Sequence, residues 1–340
     1  MPAPARLIVD GDALVANWRT LARLSGAASC GAAVKADGYG LGASAVVERL
    51  SAAGCRDFYV ATWDEADALG PLPDGASLSV LHGVRAEDMD AALASPARPV
   101  LNTPAQVQRW RETGRACDVM VDTGMNRLGL SAEEATSGLL DGLPIETLMS
   151  HLACADEDRP ENERQRRAFA AVVRQIRAKR RSLANSAGVM LGQAYAFDLT
   201  RPGLALYGGI PRGEARGLIV PVLRIEAAVL QCRRVEPGQA VGYGGAFVAQ
   251  RETEIALLNI GYADGYLRAL GPEGTCGGGR FPVLGRVSMD LLAVDVTGAG
   301  IADEDWIEVD YDLEATSAAS GLTQYELLTN LRARFERVHA

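Results

Sequence analysis

Lysine is scarce in this chain. Only Lys35 and Lys179 occur among 34 basic residues, so the other 32 are arginines. A coding bias toward arginine explains the scarcity, but it does not explain where the two lysines lie. Acidic residues outnumber basic ones by 43 to 34, and the net charge is −9. Because no long basic run is present, binding to nucleic acid or to an anionic membrane is not predicted.

Two further absences bear on protein class and compartment. No run of roughly 18 apolar residues occurs and the N-terminal residues lack a signal-peptide pattern, so neither a membrane span nor secretion is predicted. The six cysteines are far apart and form no C-x-x-C pair, which argues against a zinc site and a disulfide framework. We therefore expect a cytoplasmic protein with reduced cysteines and no metal. The 340 residues leave room for roughly two domains.

The first two thirds of the chain alternate between short apolar runs and polar stretches of helix length, such as 44–53, 103–113 and 161–181. Strands separated by helices pair in parallel through right-handed crossovers, and eight such units predict an α/β fold, the (β/α)8 barrel. A doubly wound open sheet is the alternative, but it usually has fewer strands and a glycine-rich first turn. The predicted strands are 32–35, 58–62, 78–82, 99–102, 118–122, 147–151, 182–186 and 198–201.

The pattern changes after residue 213. Short runs with period two or fully apolar character, separated by Pro-Gly and Gly-Gly turn signals, predict a C-terminal mainly-β domain. One helix is predicted at 323–335, where apolar residues recur at helical spacing. The segment 6–9 reads as a strand that either domain could hold. The predicted domains are a barrel at 10–215 and a β domain at 216–340, the latter possibly joined by the N-terminal strand 1–9.

Lys35 is the first candidate for chemistry. It closes a small apolar strand and is followed by three glycines within five residues, Gly38, Gly40 and Gly42. A lysine in that position is partly desolvated, which lowers its pKa and makes the neutral amine available as nucleophile or base. Lys179 lies in a charged stretch read as helix and is expected at the surface. The other predicted strands end in polar residues, which is also ordinary where a barrel meets water: Thr62, His82, Asn102, Asp122, His151, Ser186 and Arg201.

The segment 33–40, AVKADGYG, resembles the signature of the alanine racemases, which are pyridoxal 5'-phosphate enzymes of fold-type III. The resemblance continues in order along essentially the whole chain. The matching segments are DTGMNRLG (122–129), SHLA (150–153), NS (185–186), RPGLALYG (201–208), GYG (242–244), GYADGY (261–266), GRVSMD (285–290) and YE (325–326).

This resemblance implies a catalytic machinery. Lys35 would bind pyridoxal phosphate covalently and move the substrate's α-proton on one face. Tyr243 of the partner subunit would act on the opposite face, because racemisation needs a base on each side of the α-carbon. A tyrosine needs assistance to act as a base near neutral pH. The family supplies it through a hydrogen-bonded chain from Tyr243 to His151 and Arg201, and Arg201 faces the pyridine nitrogen.

The resemblance also implies binding residues and an assembly. The homodimer shares active sites between subunits and interconverts L- and D-alanine, with D-alanine supplied for peptidoglycan. The implied phosphate ligands are the Ser186 hydroxyl, the backbone N–H groups of Gly203 and Leu204, and the hydroxyls of Tyr39 and Tyr325. The implied substrate contacts are Arg127 and the backbone N–H of Met289 from the partner subunit. The implied residues of the substrate access corridor are Tyr262 and Asp290.

The sequence departs from the family pattern at three positions. Leu41 stands where a histidine is common, and Ser288 replaces a common cysteine. Met120 stands where some members carry a lysine that becomes carbamylated and orients the arginine corresponding to Arg127. We therefore expect Arg127 to be oriented otherwise, by Asn126, an anion or water.

Three other functions remain open. A fold-type III amino-acid decarboxylase shares this architecture, but Gln239 replaces the arginine of that family's Glu-Pro-Gly-Arg motif. A non-catalytic pyridoxal-phosphate carrier would leave the β domain and Tyr243 unexplained. A broad-spectrum or serine-preferring racemase is harder to separate from an alanine racemase, since one methylene in a pocket is worth only ~1–3 kcal/mol.

Overall fold

The structure is a computed structural model that describes residues 3–271, 273–331 and 333–340. The chain forms two compact units. The barrel unit is Ala13–Val220, and the β unit combines the residues up to Asp12 with Pro221–Ala340. Within the described ranges, no helix is long and apolar enough to cross a membrane. All six cysteines are free thiols.

The first elements are strand β1 (Ala5–Val9) and helix α1 (Gly11–Leu24). The barrel unit then contains strands β2 (Ser29–Cys30), β3 (Ala32–Ala33), β4 (Asp57–Val60), β5 (Ser77–Val80), β6 (Arg98–Leu101), β7 (Cys117–Met120), β8 (Ile145–Met149), β9 (Arg180–Ser182) and β10 (Leu199–Thr200). Its further helices are α2 (Lys35–Tyr39), α3 (Ala43–Ala53), α4 (Trp63–Leu69), α5 (Met89–Ala94), α6 (Pro104–Arg111), α7 (Ala132–Thr136), α8 (Pro160–Val173) and α9 (Ser186–Met190).

The parallel strands close on themselves. Strands β3 to β9 form one parallel sheet in sequence order, and β10 pairs with β2. Backbone N–H groups of Gly31 and Ala33 donate to carbonyls at the end of β10, at 2.9 Å each. On the opposite edge of β10, the chain is joined to the segment that follows β9, because the Arg201 N–H donates to the Ala184 carbonyl at 2.9 Å. The predicted fold class is confirmed, and β4 to β9 each begin one or two residues earlier than the sequence pattern suggested.

The barrel interior is unusually polar, since most (β/α)8 barrels fill it with branched apolar side chains. Asp57 on β4 pairs with Arg180 on β9 at 2.5 and 2.8 Å, although these strands are not neighbours, so the contact crosses the interior. Asp118 is fully buried and accepts from Ser79 at 2.6 Å and from the Thr147 N–H at 2.9 Å. The interior therefore depends on satisfied polar pairs as well as on apolar burial.

The β unit has a mainly antiparallel sheet around one long strand. Its elements are β11 (Leu223–Val235), β12 (Ala240–Val241), β13 (Phe247–Val248), β14 (Thr253–Leu258), β15 (Thr275–Cys276), β16 (Phe281–Pro282), β17 (Leu292–Asp295), β18 (Trp306–Val309), α10 (Leu313–Ser320), α11 (Gln324–Thr329) and β19 (Glu336–His339). β11 pairs with β1, β14 and β18, and β1 also pairs in parallel with β19. The N-terminal strand thus belongs to the sheet of the β unit.

Two sequence predictions of helix extent are wrong. The helix predicted at 323–335 ends at Thr329, where Asn330 is the C-cap, and the chain continues into β19. Leu331 and Phe335 are nevertheless buried. The apolar spacing that suggested a helix therefore reflects the burial of these residues. The helix predicted at 161–181 ends at Val173. Lys179 therefore lies in a bend before β9 and not on a helix, although it is exposed as expected.

Asp57→Asn should lower the free energy of unfolding by about 2–4 kcal/mol, because the Arg180 guanidinium loses its ionic partner in the barrel interior. Urea denaturation followed by tryptophan fluorescence measures this, since three of the four tryptophans lie in the barrel unit. Glu146→Gln is the matched control, because it breaks the exposed ion pair with Lys179 and should cost under about 1 kcal/mol. Equal losses in the two variants would contradict this account of the interior.

Candidate active site

Lys35 directly follows the end of β3 and begins α2, which is a turn of left-handed helix. The φ angle is positive at five consecutive residues, 36 to 40, with values from 53° to 87°. Ala36, Asp37 and Tyr39 carry side chains, for which this conformation costs roughly 1–2 kcal/mol each. The sequence predicted a glycine-rich loop here, and the structure shows an ordered but strained turn.

Side chains from several elements hold this turn. Glu65 of α4 accepts the Ala36 N–H at 2.8 Å, and Asp37 accepts the N–H of Ala43, the first residue of α3, at 2.8 Å. The Tyr39 ring stacks on the buried Tyr207 ring with centroids 4.7 Å apart. The local strain is therefore offset by contacts specific to this conformation.

The Lys35 amine is half-buried, and its pKa lies below the ordinary value. Desolvation is the largest cause, the Arg127 guanidinium lowers the pKa further, and the Glu65 carboxylate raises it. A larger neutral fraction makes the amine a better nucleophile or base at neutral pH. This matches the behaviour that the sequence predicted for Lys35.

Arg201 follows β10 and is buried in the barrel unit. Its guanidinium donates to the Ser182 hydroxyl, and to the Ser150 carbonyl at 2.6 Å. The Tyr59 ring lies 5.9 Å from the guanidinium carbon. No carboxylate of the described residues forms an ion pair with Arg201, and burial lowers its pKa. The site thus contains a positive charge held by neutral acceptors.

His151 follows β8 and remains neutral. Desolvation, followed by the charges of Arg201, Arg127 and Lys35, lowers the pKa of His151 to about 3. In the described part of the chain, its ring forms no hydrogen bond with Arg201, which donates to the adjacent Ser150 carbonyl instead. A neutral imidazole can accept one hydrogen bond and donate another. The chain of hydrogen bonds through His151 stays a prediction.

A compact cradle of backbone and hydroxyl groups lies between α9 and the 3-10 turn Leu204–Tyr207. The Ser186 hydroxyl accepts the N–H groups of Gly203 at 2.9 Å and Ala205 at 3.1 Å. A Cβ atom on Gly203 would lie 2.2 Å from the Tyr39 hydroxyl oxygen, so only glycine fits there. Among the described residues, the Leu204 N–H has no acceptor. These donors form a small polar cradle next to the Lys35 turn.

Asp122 orders the loop that carries Arg127. Its carboxylate accepts the backbone N–H groups of Gly124, Met125 and Arg127 at 2.8–2.9 Å. Desolvation raises the pKa of Asp122, but these hydrogen bonds outweigh it and lower the pKa overall. The Arg127 side chain itself is exposed and has no hydrogen-bonding or ionic partner within the described ranges. Met120 is buried below the loop and supplies no charge.

The remaining predicted residues lie in the β unit. Tyr243 is 66% exposed on a turn flanked by glycines with positive φ, Gly242 and Gly244. Met289 is 53% exposed, and its backbone N–H has no acceptor among the residues that the structure describes. Tyr325 is also exposed, on α11.

The two residues that the resemblance assigns to an access corridor, Tyr262 and Asp290, contact neighbours in the β unit. The Tyr262 N–H donates to the Ser288 carbonyl at 3.1 Å, and the Arg268 guanidinium lies 5.1 Å from the Tyr262 ring centroid. Asp290 pairs with Arg334 at 2.7 Å. Ser288 thus holds the Tyr262 backbone through its own carbonyl and not through its side chain.

Several strand-end residues have structural tasks. Thr62 caps α4 by accepting the Glu65 N–H, and Asn102 donates to the Leu81 and Val100 carbonyls. His82 is exposed. These three are consistent with the ordinary polar strand ends that a barrel has.

The sequence did not reveal the residues that hold the candidate residues Lys35, Arg127 and Arg201 in place. Glu65 was not singled out, although a Glu three residues after Thr62 is a capping-box pattern. Asp122 was noted only as a strand end, although Asp followed by Thr-Gly is typical of a turn centred on a carboxylate. No local pattern around Ser150 or Ser182 predicts that they accept hydrogen bonds from Arg201, because only the folded barrel brings these residues together.

The chain thus combines a barrel, which holds a desolvated lysine and a buried arginine at its strand ends, with a β unit. Residues 9–211 match the alanine racemase N-terminal domain, and residues 222–339 match the alanine racemase C-terminal domain. The chain therefore belongs to the alanine racemase family, whose members are isomerases.

Individual relatives agree with this family. The alanine racemase of Rhodospirillum rubrum is 43% identical, with 98% of this chain and 96% of the relative covered. The catabolic alanine racemase of Agrobacterium fabrum is 40% identical, with coverage of 98% and 92%. The structure of alanine racemase from Bartonella henselae with covalently bound pyridoxal phosphate has a TM-score of 0.90 and 34% identity, with complete coverage of both chains.

Gly203→Ala should lower the free energy of unfolding by about 1–3 kcal/mol, because the added methyl group displaces the Tyr39 hydroxyl. Chemical denaturation measures the loss. Gly213→Ala is the control, since Gly213 has ordinary φ and its Cβ would meet only the end of the Arg216 side chain, at 3.2 Å. A Gly203→Ala variant as stable as Gly213→Ala would show that the cradle has more room than the structure gives it.

The His151 ring should keep its neutral form as the pH falls to about 5, and NMR of the ring protons measures this. The His151→Gln variant assigns the signal by its loss. Because the folded pKa lies below the ordinary 6.5, the stability contributed by the neutral ring is present above pH 6.5 and is lost as the pH falls toward 3. A ring that titrates near its ordinary pKa would contradict the desolvated, cation-flanked environment.

Proposed function

We propose that the protein is a pyridoxal-phosphate-dependent alanine racemase that interconverts L- and D-alanine with two bases. The observation that carries the proposal is the half-buried Lys35 amine, whose pKa is lowered, on a strained turn beside the Ser186–Gly203 cradle. Membership of the alanine racemase family supports the reaction class. The resemblance had implied the same activity.

The residues around Lys35 fit pyridoxal phosphate. The amine would bind the cofactor covalently, as lysines with lowered pKa do. The Leu204 N–H, which lacks an acceptor among the described residues, and the hydroxyls of Ser186 and Tyr39 suit a phosphate, and Gly203 leaves the backbone open. Tyr325 would add a hydroxyl to the same group. The neighbour from Bartonella henselae carries this cofactor covalently.

Bound pyridoxal phosphate withdraws electron density from the α-carbon of an attached amino acid, which acidifies the α-proton. Once the substrate's amine has displaced Lys35 from the cofactor, the free Lys35 Nζ would take or return that proton on one face. The hydroxyl oxygen of Tyr243 of the partner subunit does so on the other face. Two bases on opposite faces invert the configuration, because the proton leaves one side and a different proton arrives on the other.

The charges around the amine fit these roles. Arg201 would face the ring nitrogen of the cofactor, and its guanidinium can only donate a hydrogen bond. His151 would connect Arg201 to Tyr243 of the partner subunit, and its neutral ring allows it to accept and donate at once. The Arg127 guanidinium has no partner within the described ranges and would bind the substrate carboxylate.

The β unit would complete the site of a second copy. Tyr243 and Met289 are exposed, and the Met289 N–H is available to an external acceptor, as a shared homodimer site requires. Tyr262 and Asp290 would line the access corridor. We further infer a cytoplasmic enzyme, which fits six free cysteines, and supply of D-alanine for peptidoglycan.

The test is subunit complementation of alanine racemisation in deuterated water. Wild type should racemise L-alanine with incorporation of deuterium at the α-carbon. Lys35→Ala and Tyr243→Phe should each be inactive alone. After the two are unfolded and refolded together, about a quarter of the wild-type activity should return, because half of the dimers then contain one intact site.

Two outcomes would contradict the proposal. Release of carbon dioxide, or no exchange at the α-carbon, would exclude an alanine racemase. Racemisation without recovery in the mixed sample would show that Lys35 and Tyr243 do not act across subunits. A mixture of Lys35→Ala with Lys35→Arg serves as the control, since it contains no intact lysine and should stay inactive.

A further inference from the structure

Glu65 connects two strand ends next to the reactive lysine. It lies in the first turn of α4, and each oxygen of its carboxylate accepts one backbone N–H. Oε1 accepts the N–H of Ala36, the residue after Lys35, at 2.8 Å, and Oε2 accepts the N–H of Ala61, after β4, at 2.6 Å. The half-buried carboxylate therefore joins the start of the left-handed turn to the neighbouring strand of the barrel.

We propose that Glu65 is a positioning residue for Lys35, fixing the backbone from which the amine projects. This inference rests on the proposed function only in taking Lys35 as the reactive amine. Glu65 is not placed in contact with substrate or cofactor, and it acts through the Ala36 N–H.

The Ala36 N–H depends on this carboxylate, because the other hydrogen bonds of the turn reach Ala36 only through its carbonyl. Gly38 donates to the Val34 carbonyl and Gly40 to the Ala36 carbonyl, both at 2.8 Å, so these bonds lie within the segment itself. The Ala36 N–H has Glu65 as its acceptor. Ala36 is also an exposed residue with a side chain at φ 53°, a conformation that needs outside support.

The charge of Glu65 also reaches the amine. Arg127 and Glu65 act on Lys35 in opposite directions, the first lowering its pKa and the second raising it, while desolvation lowers it most. His151 adds no charge here, because desolvation and the neighbouring positive charges, that of Lys35 included, lower its pKa to about 3. Removing the carboxylate should therefore shift Lys35 further toward the neutral amine while it loosens the turn.

The matched pair of variants is Glu65→Gln and Asp64→Asn. Both replace one carboxylate by an amide on the first turn of α4. In Glu65→Gln, the amide oxygen can accept only one of the two N–H groups, and the amide nitrogen opposes the other. Asp64 is exposed and forms no hydrogen bond or ion pair with the described residues, so its variant controls for charge and helix stability.

Hydrogen–deuterium exchange of the holoenzyme tests the geometry. In Glu65→Gln, peptides covering 34–42 and 60–63 should exchange about 10- to 100-fold faster, with β8 unchanged. Asp64→Asn should match wild type in all three segments. Unchanged exchange at 34–42 would overturn the inference. Faster exchange in β8 as well would also overturn it, because Glu65 would then support the whole barrel and not the turn.

Titration of Lys35 tests the position of the amine. The chain has only two lysines, so reductive methylation with 13C in the cofactor-free full chain labels Lys35, Lys179 and the α-amino group alone. Glu65→Gln should move the Lys35 midpoint to lower pH and leave the Lys179 signal as in wild type. The inference fails if the Lys35 midpoint does not move, or if Asp64→Asn moves it equally.

Kinetics separate this inference from the proposed function. With L-alanine, Glu65→Gln should lower kcat about 10- to 100-fold and change KM by less than about threefold, since the binding groups remain in place. Loss through KM alone would overturn a positioning role. If wild type does not racemise alanine, the proposed function fails, whereas exchange and titration still decide the role of Glu65.

Discussion

The left-handed turn after β3 is the constraint on which the site depends. Lys35 is the first residue of this turn, so every contact that fixes the turn also fixes the backbone that carries the Lys35 amine. These contacts come from separate parts of the chain: Glu65 on α4, the first turn of α3, and the Tyr39–Tyr207 stack. Because the conformation is costly for side-chain-bearing residues, it persists only while the surrounding barrel is formed. The position of the Lys35 amine and the folding of the barrel unit are therefore coupled.

The polar interior explains how a positive charge can be kept at the strand ends. Asp57 and Arg180 neutralise each other across the barrel, and Asp118 is satisfied by hydrogen bonds and by Arg98 at 3.5 Å. In the part of the chain that the structure describes, the Arg201 guanidinium contacts a hydroxyl, a carbonyl and an aromatic ring, and no carboxylate. No carboxylate of the described residues pairs with this charge, so the Arg201 guanidinium remains available to interact with a bound molecule. Desolvation lowers the pKa of His151 most, and the charges of Arg201 and Arg127 lower it further.

The sequence was sufficient for the order of strands and for the residues whose chemistry is unusual in their surroundings. Eight apolar runs predicted the barrel, and an isolated lysine before clustered glycines predicted an amine whose pKa is lowered by desolvation. It was insufficient where three-dimensional contact decides the outcome. The burial of Leu331 mimicked helical periodicity. The acceptors of Arg201 are Ser182 at the end of β9 and Ser150 directly after β8, which only the barrel brings together. Glu65 was missed because its local capping pattern conceals a contact 29 residues away.

With Met120 at the position of the family's carbamylated lysine, the described residues hold Arg127 through its backbone and leave its side chain without a partner. A thioether at this position cannot pair with Arg127, and the structure fixes Arg127 through its main chain instead, because Asp122 gathers successive N–H groups around one carboxylate. The guanidinium is left exposed, where its charge lowers the pKa of both Lys35 and His151. Under the proposed function, the same charge attracts the substrate carboxylate. Neutralising Arg127 within the protein would weaken both effects, so leaving its side chain without an anionic partner is consistent with the chemistry of the site.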